Sequence, residues 1–408
     1  MLTRLDDTLW HQIPTTFDHV GTSDPRFFDR YWFASYDPDH DIGVQLTMGA
    51  YRNMNVLDGG VAVIIDGRQH NIRVSRSLDR DADSHCCGLR VDPVIPLKEI
   101  RLEIDQEHHP FGGEITWRAI EQPSLEHPHF ERNRGRVAQE YQRFTQVGTA
   151  DGWLVVDGKR IEIRQWWACR DHSWGVRQGM GIPEPVTGPR GTLATKGHVQ
   201  SFLYFSTETL SGKVHLIRRG DDEPYATGVV TDRQTSQARE VRAIDLDIDF
   251  FEGTRRFEAA TLGVTLDDGE ELALTATVKG PSFAMPGLGY SGGYNDRGGP
   301  GVWRGETFTE CDIWDVRQPS VVGLPGGSTF EPWHRIQPVQ VRSQGLNGTG
   351  SGTGSFTLTV SGKLPHYLGG EAPEAAPREF SKPPASQIAE QPTATDPSQD
   401  DRTKETSR

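Results

Sequence analysis

Reactive side chains are most concentrated in one stretch of the chain. Eight consecutive residues supply an acid, an imidazole, a hydroxyl, an indole and two guanidinium groups: Arg170, Asp171, His172, Ser173, Trp174, Gly175, Val176 and Arg177. Trp166 and Trp167 come shortly before it, so three of the ten tryptophans fall within nine positions. We expect the remaining chain to present or cover this stretch.

The residues before and within the stretch predict a β-strand, in which successive side chains alternate between two faces. His172 and Trp174 would then share one face, with Asp171, Ser173 and Arg177 on the other. An imidazole can act as a general acid or base, and an indole supplies an apolar wall. Asp171 and Arg177 would form a structural ion pair. The alternative is a buried structural strand without chemistry.

Other motifs favour structural roles. His108, His109, His127 and His129 lie among prolines and charged residues, so we expect solvated loop histidines and no metal site. The segment Gly287–Gly292 matches the letters of a dinucleotide-binding motif, but no helix signal follows it. We therefore expect a long loop in which Tyr290 borders a cavity, and no nucleotide or other cofactor.

Short alternating segments separated by turn residues predict an antiparallel, mostly-β protein. Asp66-Gly67, Asp157-Gly158 and Asp268-Gly269 each separate two apolar runs, which is typical of β-hairpins. Ile244, Leu246, Ile248 and Phe250 alternate with three aspartates, so the acids should form a solvated strand face. Helix signals are few: we predict a short helical turn near residues 25–29 and one short helix over residues 136–144.

Composition and net charge exclude some classes of partner and location. The chain has 408 residues, 35% of them hydrophobic, and a formal net charge of −14, which argues against nucleic acid and anionic membranes as partners. No segment approaches the roughly 20 apolar residues of a membrane span, and no signal peptide is recognisable, so we expect a cytoplasmic protein. The four cysteines lack a Cys-x-x-Cys spacing and suit reduced thiols.

The Arg170–Gly175 block, with His172-x-Trp174 inside it, resembles the two-domain lipocalin-like β family. That family includes the AttH-like proteins and the carotenoid 1,2-hydratases, and an uncharacterised bacterial branch carries a similar block. The resemblance implies two lipocalin-like antiparallel barrel or sandwich domains. We assign residues 1–20 to an irregular N-terminus, 21–165 to the first domain, 166–368 to the second and 369–408 to a disordered tail.

The resemblance also implies acid–base chemistry on an alkene, without metal or nucleotide, in an apolar cavity. The hydratases pair the His-x-Trp with a later Tyr-x-Asp, whose aspartate is the acid. Here Tyr204 matches the tyrosine, but Ser206 replaces the aspartate. A hydroxyl is too weak an acid to protonate an isolated alkene, so Asp171 or another carboxylate, such as Glu140, would have to donate the proton.

The sequence thus predicts a cofactor-independent hydratase, isomerase or cyclase acting on a large apolar molecule of isoprenoid, steroid or polyketide type. The alternative is a non-catalytic lipid- or isoprenoid-binding protein with the same cavity. The predicted catalytic residues are His172, Asp171 and Tyr204, and the predicted ligand-binding residues are Trp174, Trp166, Arg177, Ser206 and Tyr290. The sequence leaves the oligomeric state open. A titratable carboxylate that faces the cavity would favour the enzyme.

Overall fold

The protein is all-β, as predicted. The computed structural model describes residues 7, 9, 14–78, 83–133, 136–181, 197–220, 222–346 and 348–362. Within these ranges the regular structure consists of β-strands and short 3-10 turns, without an α-helix. None of the helical segments described there is long and apolar enough to cross a membrane. The strands form two antiparallel sheets.

The larger sheet has 15 strands and is built mainly from the N-terminal half of the chain. Its strands are β1 (Phe27–Tyr36), β2 (Gly43–Tyr51), β3 (Val56–Ile65), β4 (Arg68–Ser77), β5 (His85–Cys86), β6 (Leu89–Ile95), β7 (Glu99–Ile104), β8 (Gly112–Ala119), β9 (Ser124–Leu125), β10 (His129–Asn133), β11 (Arg136–Val156), β12 (Lys159–Val176), β20 (Phe308–Asp315), β21 (Val322–Gly323) and β22 (Thr329–Phe330). β12 lies between β1 and β11 near the middle of this sheet.

The second sheet closes into an eight-stranded barrel, because β18 pairs with β23 as well as with β17. Its strands are β13 (His198–Thr207), β14 (Leu210–Arg219), β15 (Tyr225–Asp232), β16 (Ala238–Phe250), β17 (Phe257–Leu266), β18 (Glu271–Val278), β23 (Arg335–Gly345) and β24 (Gly348–Ser361), and the short β19 (Phe283–Ala284) pairs with β23 outside the closed ring. Leucine, valine and phenylalanine side chains fill the barrel.

The hairpin turns form where the sequence predicts them. Asp66-Gly67 joins β3 to β4, and Asp157-Gly158 joins β11 to β12. Both residues of each turn have positive φ, between 49° and 72°, which suits the right-handed twist of the flanking strands. Asp268-Gly269 similarly lies between β17 and β18, with Gly269 at a φ of 85°.

The larger sheet curls around an apolar core. We call the face that encloses this core the inner face; it carries Phe33, Leu46 and Ala168 among many others. The opposite, outer face carries Trp32, Trp167 and Cys169, which pack against Phe202 and Tyr204 on the outside of the barrel. The outer face and the barrel wall therefore form a buried interface between the two sheets.

The segment that follows β19 covers another part of the outer face. Met285 and Leu288 pack there, in 3-10 turns that replace the helix a dinucleotide site would need. Gly287 lies against Gln69 and Asn71 so closely that a Cβ would clash with both side chains. The glycines of this segment thus allow close packing on the sheet.

Two expectations need comment. The predicted helix over residues 136–144 is wrong, because these residues belong to β11 and pair with β10 and β12. The assumed domain boundary between residues 165 and 166 falls inside β12, whose whole length lies in the larger sheet. The division into two domains stays a prediction, and the proposed disordered tail, 369–408, lies outside the described residues.

Candidate functional site

β12 presents its reactive side chains to two different environments. A β-bulge near Gln165, which has a φ of 50°, resets the alternation of the strand. From there on, Trp166, Ala168 and His172 point to the inner face, and Cys169 and Asp171 point to the outer face. The predicted separation of His172 from Asp171 by alternation is therefore observed, and it places the two side chains on opposite sides of the sheet.

On the inner face, His172 lies in an aromatic pocket at the end of the strand. Its ring centroid is 4.4 Å from that of Tyr31 and 5.4 Å from those of Phe144 and Trp174. Its Nε2 atom is 2.6 Å from a carboxylate oxygen of Asp29. The side chain of Asp29 is 45% exposed and that of His172 is 21% exposed, so this acid–imidazole pair lies at the protein surface.

On the outer face, Asp171 points toward the barrel. Its carboxylate makes no hydrogen bond or ion pair with any residue that the structure describes. Burial raises the pKa of Asp171, while the charge of Arg143 opposes the rise. An acid that gains no partner on folding keeps its proton to a higher pH than a solvated aspartate does, which suits a proton donor.

Tyr204 reaches the same interface from β13. Its ring lies 5.7 Å from Trp32 and 4.7 Å from Phe202. Its hydroxyl is buried without a hydrogen-bond partner among the described residues. Burial, reinforced by the negative charge of Asp171, raises its pKa well above the usual value. The structure therefore brings together two of the three predicted catalytic residues, Asp171 and Tyr204, and leaves His172 on the other side of the sheet.

Next to this pair is a buried charge network around Glu126. Arg143 donates from Nε to Oε1 and from Nη2 to Oε2 of Glu126, each at 2.8 Å. His129 Nε2 lies 2.8 Å from Oε2, and Lys213 Nζ forms an ion pair with Oε1 at 2.8 Å. Since Lys213 belongs to the barrel and the others to the larger sheet, the network joins the two sheets across the interface.

Burial and the neighbouring charges together shift the pKa values in the network. It opposes ionisation of Glu126, but the charges of Arg143 and Lys213 outweigh it and hold the pKa of that carboxyl well below its usual value. Burial lowers the pKa of Lys213 to about 8, that of His129 to about 4 and that of His215 to about 3. Both imidazoles are therefore neutral at pH 7, beside an ionised carboxylate and two cations.

Glu126, His129 and His215 could hold a metal by residue type, because ligand atoms of all three lie within 4.8 Å of one another. The position between them is taken by the guanidinium of Arg143. Its Nη2 atom is 2.8 Å from Glu126 and 3.4 Å from Nδ1 of His215. With Lys213 also paired to Glu126, a divalent cation would face two fixed positive charges, so the residues suit a charge network better than a metal.

A second carboxyl lies further along the interface. Ser211 donates a hydrogen bond of 2.6 Å to Oε2 of Glu121, and the backbone N–H of Val147 donates one of 3.1 Å to Oε1. Ser206, which stands where the hydratases have aspartate, pairs with Ser211 across β13 and β14. Burial raises the pKa of Glu121 to about 7. A carboxyl thus reaches the neighbourhood of Ser206 from the other sheet.

The charges of Asp171 and Glu121 both reach the thiol of Cys169. The thiol is fully buried on the outer face, and its pKa is raised first by burial and further by the charges of both carboxylates. A donor and an acceptor of protons are what a hydration or an isomerisation needs at one site. The interface therefore has the composition of an acid–base site, with Tyr204 beside it.

The other predicted ligand-binding residues are dispersed. Trp166 is buried in the inner core, and Trp174 is exposed at the surface. Arg177 lies over Phe28, with its guanidinium 4.8 Å from the ring centroid, and forms no ion pair with Asp171 among the described residues. Its positive charge nevertheless opposes the rise that burial causes in the pKa of Asp171.

Tyr290 packs against a buried cluster that contains Phe28, Tyr51 and Tyr141. Its hydroxyl accepts a hydrogen bond of 3.0 Å from Nε of Arg30. The same guanidinium is paired with the buried Asp58 at 2.7 Å. Tyr290 is thus part of a separate polar cluster that holds the segment after β19 against the larger sheet.

Small cavities occur among the described residues. One, of about 40 Å³, lies at the Asp66 and Asp157 turns, and another, of about 10 Å³, lies beside Tyr36 and Lys279. Neither includes Asp171, Tyr204 or His172. The predicted large apolar cavity therefore stays a prediction.

Comparisons with known proteins cover most of the chain. It is similar to the crystal structure of kievitone hydratase from Nectria haematococca, with 10% identity, coverage of 84% of this chain and 93% of that one, and a TM-score of 0.47. A putative AttH protein from Nitrosomonas europaea matches with 12% identity, 86% and 98% coverage, and a TM-score of 0.49. CghA matches with 9% identity, 83% and 89% coverage, and a TM-score of 0.42.

Among curated protein sequences no relative is found. A family model matches residues 2–324, which is most of the chain and includes β1 to β12, Tyr204 and the Glu126 network. The chain therefore belongs to a family of unknown function, DUF8625.

Proposed function

We propose that the protein is a cofactor-independent acid–base enzyme, a hydratase, isomerase or cyclase, whose site lies between the two sheets at Asp171, Tyr204 and Glu121. One observation carries this proposal: the Asp171 carboxylate points into the interface without a partner among the described residues, and burial raises its pKa. Its substrate is a large apolar molecule of isoprenoid, steroid or polyketide type, as the resemblance implies.

In this proposal Asp171 donates a proton to an alkene carbon of the substrate. The resulting carbocation can react in three ways. Addition of water gives hydration, loss of a neighbouring proton gives isomerisation, and attack by a second alkene of the same molecule gives cyclisation. Glu121, with its pKa of about 7, accepts the proton that the second step releases. Apolar and aromatic side chains such as Trp32 and Phe202 face the cation and exclude bulk water.

The Glu126 network supports this chemistry indirectly. The positive charge of Arg143 lowers the pKa of Asp171, and the negative charge of Glu126 raises it. The two charges are themselves paired at 2.8 Å, so their influences on Asp171 partly cancel and burial is left to set the direction of the shift. Removing either partner of the pair would change the acidity of Asp171.

The proposal is tested by isotope exchange. The full chain is purified from its own host, apolar molecules that remain bound are identified by native mass spectrometry, and each is incubated with fresh protein in deuterated water. We expect wild-type protein to place deuterium on a carbon of the ligand. Asp171→Asn should slow this at least about 100-fold, the usual contribution of a general acid.

Glu131→Gln is the matched control. Glu131 is a carboxylate on β10 that pairs with Arg219 at 2.9 Å, away from Asp171, and its neutralisation should leave exchange unchanged. A ligand that binds without any exchange would overturn the enzyme and favour the non-catalytic carrier. Equal exchange rates in wild type and Asp171→Asn would show that Asp171 is not the acid.

A further inference from the structure

The adjacent cysteines Cys86 and Cys87 lie at a tight turn of the larger sheet. Cys86 is the last residue of β5, and Leu89, its pairing partner, is the first residue of β6. The two turn residues between them, Cys87 and Gly88, have φ values of 46° and 84°. Neither cysteine is in a disulfide.

The turn brings both thiols to the same stretch of neighbouring strands. Adjacent side chains of a regular strand point to opposite faces, but the positive φ of Cys87 breaks this alternation. Cys86 Sγ donates to the carbonyl oxygen of Leu57 at 3.5 Å, and Cys87 Sγ donates to that of Ser75 at 3.6 Å. Leu57 and Ser75 lie on the paired strands β3 and β4.

The two thiols influence each other's pKa, and their environments differ. Cys86 is completely buried, whereas Cys87 is only partly buried and so accessible to a small reagent. The neighbouring Cys86 thiol lowers the pKa of Cys87 to about 6, and the positive charge of Arg76 contributes to this shift. The same interaction raises the pKa of Cys86. Cys87 is therefore both the more acidic and the less buried of the two thiols.

We propose that Cys86 and Cys87 form a redox modification site whose substrate is a hydroperoxide. The Cys87 thiolate attacks the distal peroxide oxygen, the O–O bond breaks, and an alkoxide or hydroxide leaves and takes up a proton. Cys87 is then a sulfenic acid. Cys86, as its thiolate, attacks that sulfur, water leaves, and an S–S bond joins the two neighbours.

This site is independent of the proposed function. Cys86 packs in the inner core with Leu57 and Leu89, on the other face of the sheet from Asp171 and Tyr204. The hydroperoxide is the only oxidant that the two steps need, and it receives both electrons that the two thiols lose.

Cys311 provides an internal standard, because it is a more exposed free cysteine than Cys87. Burial of its thiol raises its pKa, so exposure and acidity favour different cysteines. At pH 7 we expect iodoacetamide to alkylate Cys87 about fivefold faster than Cys311, since the larger thiolate fraction outweighs the lower nucleophilicity of a more acidic thiol. Faster alkylation of Cys311 would overturn the assignment of Cys87 as the reactive thiol.

Oxidation of the reduced full chain by hydrogen peroxide tests the second step. We expect the tryptic peptide of residues 81–90, which contains both cysteines, to become about 2 Da lighter, as an internal disulfide requires. Cys86→Ser should stop at a sulfenic acid that dimedone traps on Cys87, and Cys87→Ser should give neither product. Cys311→Ser should oxidise as wild type does. A dimedone adduct on wild-type Cys87 without the disulfide, or a disulfide between two chains, would overturn the proposal.

Discussion

Asp171 and His172 are neighbours in the chain whose side chains lie on opposite faces of β12. Asp171 points to the barrel, where its carboxylate has no partner among the described residues, and His172 points to Tyr31 and Asp29. One substrate atom cannot touch both side chains through the intervening sheet. The residues that the sequence assigns to a single catalytic cluster therefore belong to two separate faces. We make separate predictions for each face.

The first prediction concerns the stability cost of Asp171. Because its pKa is raised on folding, the acid stabilises the fold below the pKa of the unfolded chain, and this contribution is lost as the pH rises through the folded pKa. At pH 7, which is above the pKa of an unfolded aspartate, burial of this carboxyl therefore costs free energy. Asp171→Asn should therefore be more stable than wild type by about 1 kcal/mol, measured by urea unfolding at pH 7. Destabilisation by Asp171→Asn would show that the carboxylate has a stabilising partner.

The Glu126 network should behave in the opposite way. Glu126→Gln leaves Arg143 and Lys213 buried without their counter-charge, so we expect a loss of about 3–5 kcal/mol in unfolding free energy at pH 7. The pKa of Glu126 is lowered on folding, so its stabilisation is present above the unfolded value and is lost as the pH falls through the folded pKa. Acid unfolding of the wild type should show this loss.

Glu131→Gln is again the matched control for the Glu126 variant. Glu131 pairs with Arg219 near the surface, where such pairs contribute less than about 1 kcal/mol. Equal effects of the two substitutions would contradict a buried network that depends on Glu126.

Because of Glu121, we expect the unfolding free energy of the protein to depend on pH near neutrality. The pKa of Glu121 rises from 4.5 to about 7 on folding. The contribution to stability is therefore complete below pH 4.5 and is lost as the pH rises through 7. Glu121→Gln, whose amide oxygen can accept from Val147 while its NH2 group donates to the hydroxyl of Ser211, should remove this slope and gain about 1–3 kcal/mol relative to wild type at pH 8. Parallel pH profiles of the two proteins would mean that Glu121 titrates normally.

We expect the pair of His172 and Asp29 on the inner face not to take part in catalysis. His172→Ala removes the surface contact with the carboxylate of Asp29 and ring contacts with Tyr31 and Trp174, so we expect a loss of about 1–2 kcal/mol in stability. The rate of deuterium exchange into a bound ligand should change less than about threefold. A loss as large as that of Asp171→Asn would place the chemistry on the inner face, as the resemblance to the hydratases implies.

Much of the fold could be predicted because it depends on local signals. The Asp-Gly turns, and the alternation of Ile244, Leu246 and Ile248 with exposed aspartates, are properties of a few consecutive residues. The helix predicted over residues 136–144 failed because pairing with β10 and β12 on both sides overrides the local preference of a polar segment. Which residues form one sheet and which the barrel depends on long-range pairing that short patterns do not contain.

The site was predictable only in part, for the same reason. Alternation correctly separates His172 from Asp171, and Tyr204 does lie near Asp171. The residues of the Glu126 network come from distant parts of the chain, including the segment before β10, β11 and β14. No contiguous sequence motif therefore predicts this network. The available signal is Lys213-x-His215, which places a cation and an imidazole on one face of a strand. His129 was assigned to a solvated loop, yet it is buried beside Glu126.

The most direct test of the central claim is the titration of Asp171 itself. The carbonyl stretch of protonated carboxyl groups is followed by infrared spectroscopy from pH 3 to pH 9, and the difference between wild type and Asp171→Asn isolates this residue. We predict a protonated band that persists above the ordinary aspartate pKa of about 3.9 and is absent from the variant. A carboxyl that titrates at or below that value would contradict the assignment of Asp171 as the proton donor.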